Sequence, residues 1–295
     1  MTDLLLSTNS DQAPTLTSTK DQRRHHVVLF AMCLALVLVV ASVSALNLAI
    51  PDLAVDLAAS NTALTWIADG YTVALAALVL PFGALGDRWG RRRVLVAGTV
   101  VFGLASLAAS FADSTTALIV CRVAMGAGAA MIMPGTLSTI TASFPPQQRR
   151  RGVATWSGFA AAGAIIGFLA AGLLLERWGW ASIFVASAVL AVTAGGAAFA
   201  LAPDTRDDHP GRFDLGGSAL SAVGIGALVF AIIEGAERGW THPITLAGAA
   251  VAVAALTAYV ISGLRKDEPL LDPRLFALRG FAAGSLTIVV QFMAV

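Results

Sequence analysis

Three ionisable side chains, Asp69, Arg122 and Glu234, lie inside long runs of apolar residues. A charge in such a place is costly, so an acid there reads first as a group that takes up and releases a proton, and a base as the cation that tunes it. Such an acid works when desolvation, which favours its neutral form, is balanced by a neighbouring cation, which favours its charged form. A second concentration of chemistry is "GALGDRWGRRR" at 83–93, which sets Asp87 among Arg88, Arg91, Arg92 and Arg93 around Gly83, Gly86 and Gly90.

Other chemistries find no foothold. His25, His26, His209 and His242 lie at the edges of apolar runs without metal-ligand spacing, and Cys33 and Cys121 stand within such runs as small buried hydrophobes. No metal and no cofactor is therefore assigned. The only lysines, Lys20 and Lys266, are each followed by aspartate, so there is no Gly-Lys-Ser/Thr loop to cradle the phosphates of ATP. Any work done must draw on an ion or solute gradient. An intramembrane enzyme is disfavoured as well: "GALGD" lacks a G-x-G-D spacing, and neither H-E-x-x-H nor G-x-S-x-G occurs.

The elements that must position these residues follow from composition. Hydrophobic residues make up 57% of the 295-residue chain and charged residues 13%, and the mean hydropathy is +0.78. This is the composition of a membrane protein whose principal partner is the lipid bilayer. Only a helix satisfies its own backbone in lipid, and crossing a core about 30 Å thick takes roughly 20 residues. Eight stretches meet that test, near 26–49, 62–84, 94–112, 116–137, 153–175, 180–202, 214–235 and 242–264. The fold class is all-α. A ninth apolar run starts near Phe281, and its about 15 residues cover only about 22 Å at 1.5 Å each, so a piece of a longer protein is expected.

Orientation follows from arginine and lysine. Lys20, Arg23 and Arg24 precede span one; Arg88, Arg91, Arg92 and Arg93 separate spans two and three; Arg149, Arg150 and Arg151 separate four and five. Arg206 and Arg212 follow span six, and Arg265, Lys266, Arg274 and Arg279 follow span eight, whereas the opposite loops hold Arg177 and Arg238. The excess puts the N-terminus in the cytoplasm of a multi-pass protein of the cytoplasmic membrane. Trp66, Trp89, Trp156, Trp178, Trp180 and Trp240 fall at span ends, as an interfacial belt requires. No basic run with interleaved aromatics suggests nucleic acid. Residues 1–25 are polar and read as a disordered cytoplasmic tail, and "PDTRDDHPGRF" at 203–213 is the best boundary between bundles.

On this map "GALGDRWGRRR" is the tight cytoplasmic turn between spans two and three. The pattern Gly83-x-Leu85-x-Asp87-Arg88-x-Gly90-Arg91-Arg92 resembles the cytoplasmic signature of the major facilitator superfamily. "CRVAMGAGAA", with Arg122 ahead of Gly126 and Gly128, is similar to that superfamily's span-four motif. "SALNLAIPDL" at 44–53, "WIADGY" at 66–71, "MPGTLS" at 133–138 and "FDLGGSALS" opening span seven resemble its fourteen-helix drug:proton antiporter family.

The resemblance implies a six-helix bundle over 26–202, a linker at 203–213, an inserted helix pair over 214–264 and the start of a truncated second bundle at 265–295, rocking about a central cavity. It implies efflux of lipophilic or cationic drug-like small molecules, driven by protons. It implies a cytoplasmic latch made by Gly83, Asp87, Arg88, Gly90, Arg91 and Arg92 against helix ends of the opposing bundle. A non-transporting membrane sensor or assembly module is the alternative.

Two departures bear on coupling. Where the family's span one has an acid five residues before its asparagine, this chain has Ser42, with Asn47 and Pro51 retained. Span five carries Gly163-x-x-x-Gly167 and Gly172, but Phe168 follows the second glycine where the family has proline. Asp69 and Arg122 each lie about 10 Å below the outer surface, level with Ser42, and could meet. Asp69 is expected to carry the proton, with Arg122, Ser42 and Asn47 in the same cavity. Glu234, near the outer end of span seven, reads as a solvated interfacial acid.

Overall fold

A computed structural model describes residues 19–205, 213–266, 269 and 272–293. The apolar runs form helices because lipid offers no partner for a free peptide group. In order they are α1 (Thr19–Asp56), α2 (Asn61–Trp89), α3 (Arg91–Ala109), α4 (Thr115–Ser143), α5 (Pro146–Trp178), α6 (Ala181–Leu201), α7 (Leu215–Arg238), α8 (Pro243–Arg265) and α9 (Arg279–Met293), with one 3-10 turn at Pro273–Ala277. The first eight are long and apolar enough to cross a membrane.

Local chemistry sets the helix starts. Ser60 and Ser114 cap α2 and α4 by accepting from the N–H groups of Ala63 and Ala117, and Asp214 caps α7 by accepting from Gly217 at 2.7 Å. Between α2 and α3 stands Gly90 alone, at φ 104°, a backbone conformation that a side chain disfavours. One glycine is thus the whole turn.

The helices run past the apolar windows at their polar ends. α5 starts at Pro146 rather than near 153, since a proline at the first helical position is well placed and the following Gln-Gln-Arg-Arg-Arg run favours helix. α1 starts at Thr19, so residues 19–25, expected to be disordered tail, are helical; their lysine, arginines and glutamine are good helix formers that extend the span into water. The remainder of that tail, residues 1–18, and linker residues 206–212 lie outside the described residues, as do 267, 268, 270, 271, 294 and 295.

Helices α1 to α6 pack as one bundle, α1 lying against α5, α6 and α4, and α4 against α2 and α3. Lipid gives apolar side chains no reason to hide, so small residues bring the backbones together. A Cβ on Gly126 would run into the Tyr71 carbonyl of α2, and one on Gly128 would lie 2.8 Å from the Gly98 carbonyl of α3. The span-five glycines do the same against α1: Gly163 would meet Val37 at 3.2 Å and Gly167 would meet the Ala41 carbonyl at 2.5 Å, whereas Gly172 leaves 3.7 Å to Leu48.

The helix pair α7–α8 is closed at one end by Lys266 Nζ donating to Asp214 Oδ1 at 2.6 Å. It rests on the bundle through α7 against α2.

Candidate functional site

Arg122 is the largest fully buried side chain among the described residues, at 0% exposure. Its guanidinium is spread over three oxygens: Nε donates to the Ile67 carbonyl at 3.0 Å, Nη2 to the Ala68 carbonyl at 3.3 Å and Nη1 to Ser42 Oγ at 3.4 Å. Its carbon lies 4.6 Å from the centre of the Tyr71 ring, close enough for a cation–π contact strengthened by burial. The planar fork of an arginine suits this task, because it can reach two helices while one face rests on an aromatic.

Tyr71 is itself fixed. Its hydroxyl donates to the Val39 carbonyl of α1 at 3.1 Å, and its ring meets the edge of Phe102 of α3 with centroids 6.3 Å apart. Four helices converge on one arginine and one tyrosine. Tyr71 had no role in the sequence-based reading, although it closes "WIADGY" four residues after Ile67 and so shares its helix face.

Ser42 is 4% exposed and touches Arg122, as its expected depth requires. Asp69 is half-buried one residue past the carbonyls that hold Arg122, yet no ion pair within 4.0 Å joins the two among the described residues. The charges acting on it are Glu237 and Arg122. Asn47 is exposed and makes none of these contacts, because five residues carry it about 140° around α1 from Ser42. Pro51 shares that exposed face.

Glu234 is not a solvated interfacial acid. It is 2% exposed, accepts from the Trp66 indole N–H of α2 at 3.4 Å and pairs with Arg238 one turn further along α7. The sequence around it, "EGAERG", looks like a wet helix end, and only the packing of α7 on α2 covers it. Phe230, one turn earlier on α7, stacks on Trp66 with centroids 5.6 Å apart.

Around the α2–α3 turn the charged cluster divides. Asp87 pairs with Arg91 at 2.8 Å, and Arg91 also reaches the Ser138 carbonyl of α4 at 3.4 Å. Arg92 turns the other way, to the Ala202 carbonyl at 3.5 Å and Asp204 at 3.9 Å past the end of α6. Arg88 occupies the last turn of α2. Gly83 lies against Pro134 of α4, where an added Cβ would be at 3.5 Å, so its close neighbour belongs to the same bundle. The tryptophans divide too: Trp89, Trp178 and Trp240 are exposed at helix ends, while Trp156 and Trp180 donate to Thr136 and Asp56.

A bundle of helices long and apolar enough to span a membrane, gathered around a buried cation with a half-buried acid beside it, defines a polytopic membrane protein. Residues 32–295 match the Major Facilitator Superfamily model, and the chain belongs to that superfamily. It is 31% identical over 274 residues to the multidrug resistance protein Stp of Mycobacterium tuberculosis, 92% of this chain and 51% of that protein. It is 33% identical over 265 residues to the methyl viologen resistance protein SmvA of Salmonella typhimurium, 88% of this chain and 53% of that protein. It is 32% identical over 289 residues to the multidrug efflux pump LfrA of Mycolicibacterium smegmatis, 95% and 55% respectively. The chain thus spans about half the length of the curated relatives it matches.

Proposed function

We propose that this chain forms the first bundle and inserted helix pair of a fourteen-helix, proton-driven exporter of lipophilic or cationic drug-like molecules, set in the cytoplasmic membrane with its N-terminus in the cytoplasm. The observation that carries the reading is that buried Arg122 is held by two carbonyls, a serine and a tyrosine face, while Asp69 beside it has no ion pair within 4.0 Å among the described residues. A buried cation whose only partner was Asp69 would be stranded each time the acid took a proton. Here the protein oxygens hold the arginine in either state, so Asp69 can load and release without that cost. Resistance and efflux proteins among the relatives support the substrate class.

In this reading Asp87 and Arg91 form the latch and must exchange their present contacts for helix ends of the second bundle. The positive-inside distribution supports the orientation: a cysteine replacing Ser114 should label from outside intact cells, and one replacing Gln148 only after permeabilisation.

The deciding experiment is efflux of a fluorescent lipophilic cation from cells expressing the complete reading frame, with and without a protonophore. Efflux should stop when the gradient collapses, and Asp69→Asn should abolish it while leaving the protein in the membrane. An Asn variant that still pumps in a gradient-dependent way would move the coupling acid elsewhere.

A further inference from the structure

We propose that an anionic phospholipid of the cytoplasmic leaflet binds along the outer groove between α3 and α6, its acyl chain in the groove and its headgroup on Arg92 and Arg93. The groove has a volume of about 560 Å³. On α3 its wall runs from Val96 to Leu107, twelve residues or about 16 Å of helix, close to half of a hydrocarbon core about 30 Å thick. That is the depth one acyl chain occupies.

Its floor is open because of glycine. Gly196 has no atom within 4 Å of the position a Cβ would take, whereas neighbouring Gly195 is filled by Thr99 of α3. The two helices therefore touch along one line and part along the next.

The cytoplasmic mouth of the groove is basic. Arg92 and Arg93 precede Val96 by four and three residues, which places both one turn below it on the same face of α3. The Arg92 guanidinium lies 5.9 Å from the ring centre of Phe199, the groove's last α6 residue, so cation and apolar channel are continuous. Arg93 is exposed and has no ion pair within 4.0 Å among the described residues. Among the described residues the one acid here is Asp204, 3.9 Å from Arg92, so Arg92 and Arg93 leave the mouth with an excess of one positive charge among those residues. That excess favours a phosphate-bearing lipid without a compensating cation, and it repels the cationic compounds assigned to the central cavity. The choice of leaflet rests on the orientation proposed above; the site itself does not.

The test is native mass spectrometry of the purified full-length protein in detergent, titrated with dioleoyl-phosphatidylglycerol or dioleoyl-phosphatidylcholine. Phosphatidylglycerol should half-saturate at a concentration at least tenfold lower than phosphatidylcholine. Replacing both arginines by glutamine should shrink that ratio below about threefold, and replacing both by lysine should preserve it. Gly196→Leu, which fills the open floor, should weaken both lipids at least fivefold. The proposal is overturned if wild-type protein shows no headgroup preference, if the preference survives in the glutamine pair, or if the leucine variant binds as wild type. The leucine variant decides alone should the glutamine pair fail to fold.

Discussion

Trp66 and Glu234 are 168 residues apart in the chain, yet the indole N–H of one donates to the carboxylate of the other across the α2–α7 seam. The contact lies one turn from Asp69 on the same helix. The α7–α8 pair is therefore fastened to the helix that carries Asp69.

Removing that carboxylate leaves the indole and Arg238 without their buried partner. Glu234→Ala should destabilise the protein by roughly 1–3 kcal/mol, the usual cost of stranding a buried hydrogen-bonding group. Glu234→Gln should cost less, because the amide oxygen still accepts from Trp66. Thermal unfolding of the full-length protein in detergent measures both.

At Arg122 charge alone should not suffice. Lysine offers one point of donation and cannot fork across Ile67, Ala68 and Ser42 while lying flat on Tyr71. Arg122→Lys should reduce efflux to background at normal membrane levels. Arg122→Ala should in addition lose roughly 2–5 kcal/mol of stability, the range for emptying a large buried side chain. An active lysine variant would show that position and charge are enough.

The span-five glycines should prove unequal. An added methyl at Gly167 collides with the backbone of Ala41, while one at Gly172 makes ordinary contact with Leu48. Gly167→Ala should cut the yield of folded protein severalfold, and Gly172→Ala should leave it unchanged. Size-exclusion profiles of the two variants, expressed side by side, distinguish them.

Asp87 separates stability from transport. Its pair with Arg91 is a part-buried i,i+4 contact, worth about 0.3–0.5 kcal/mol. Asp87→Asn should accordingly shift the melting temperature by no more than about 2 °C while slowing efflux at least tenfold. A variant that pumps at the normal rate would remove Asp87 from the latch.

Most of the architecture is written in hydropathy alone. An apolar run of 20 residues has one outcome in lipid, and α6, α7 and α8 fall where such runs predict them. The superfamily signature was also legible, since Gly90 is required by its backbone angle and Gly126 and Gly128 by helices closing on them. Helix ends were less so, because membrane helices such as α1 and α5 continue into water where polarity no longer marks their limits. The site was half legible. Intramembrane charge pointed to Asp69 and Arg122, but arginine found carbonyl oxygens, which every residue carries and no sequence pattern displays. Glu234 was misread for a related reason, as its burial comes from a helix far away in the chain.

Tyr71 leaves the first bundle little internal freedom. Its hydroxyl is tied to α1, its ring is wedged against α3, its face carries the arginine of α4, and its own backbone belongs to α2. A rotation of any one of these helices drags the other three, as a keystone transmits load to every stone of its arch. These four helices should then move together or not at all, and Tyr71→Phe, which removes only the tie to α1, is the smallest change that would loosen them.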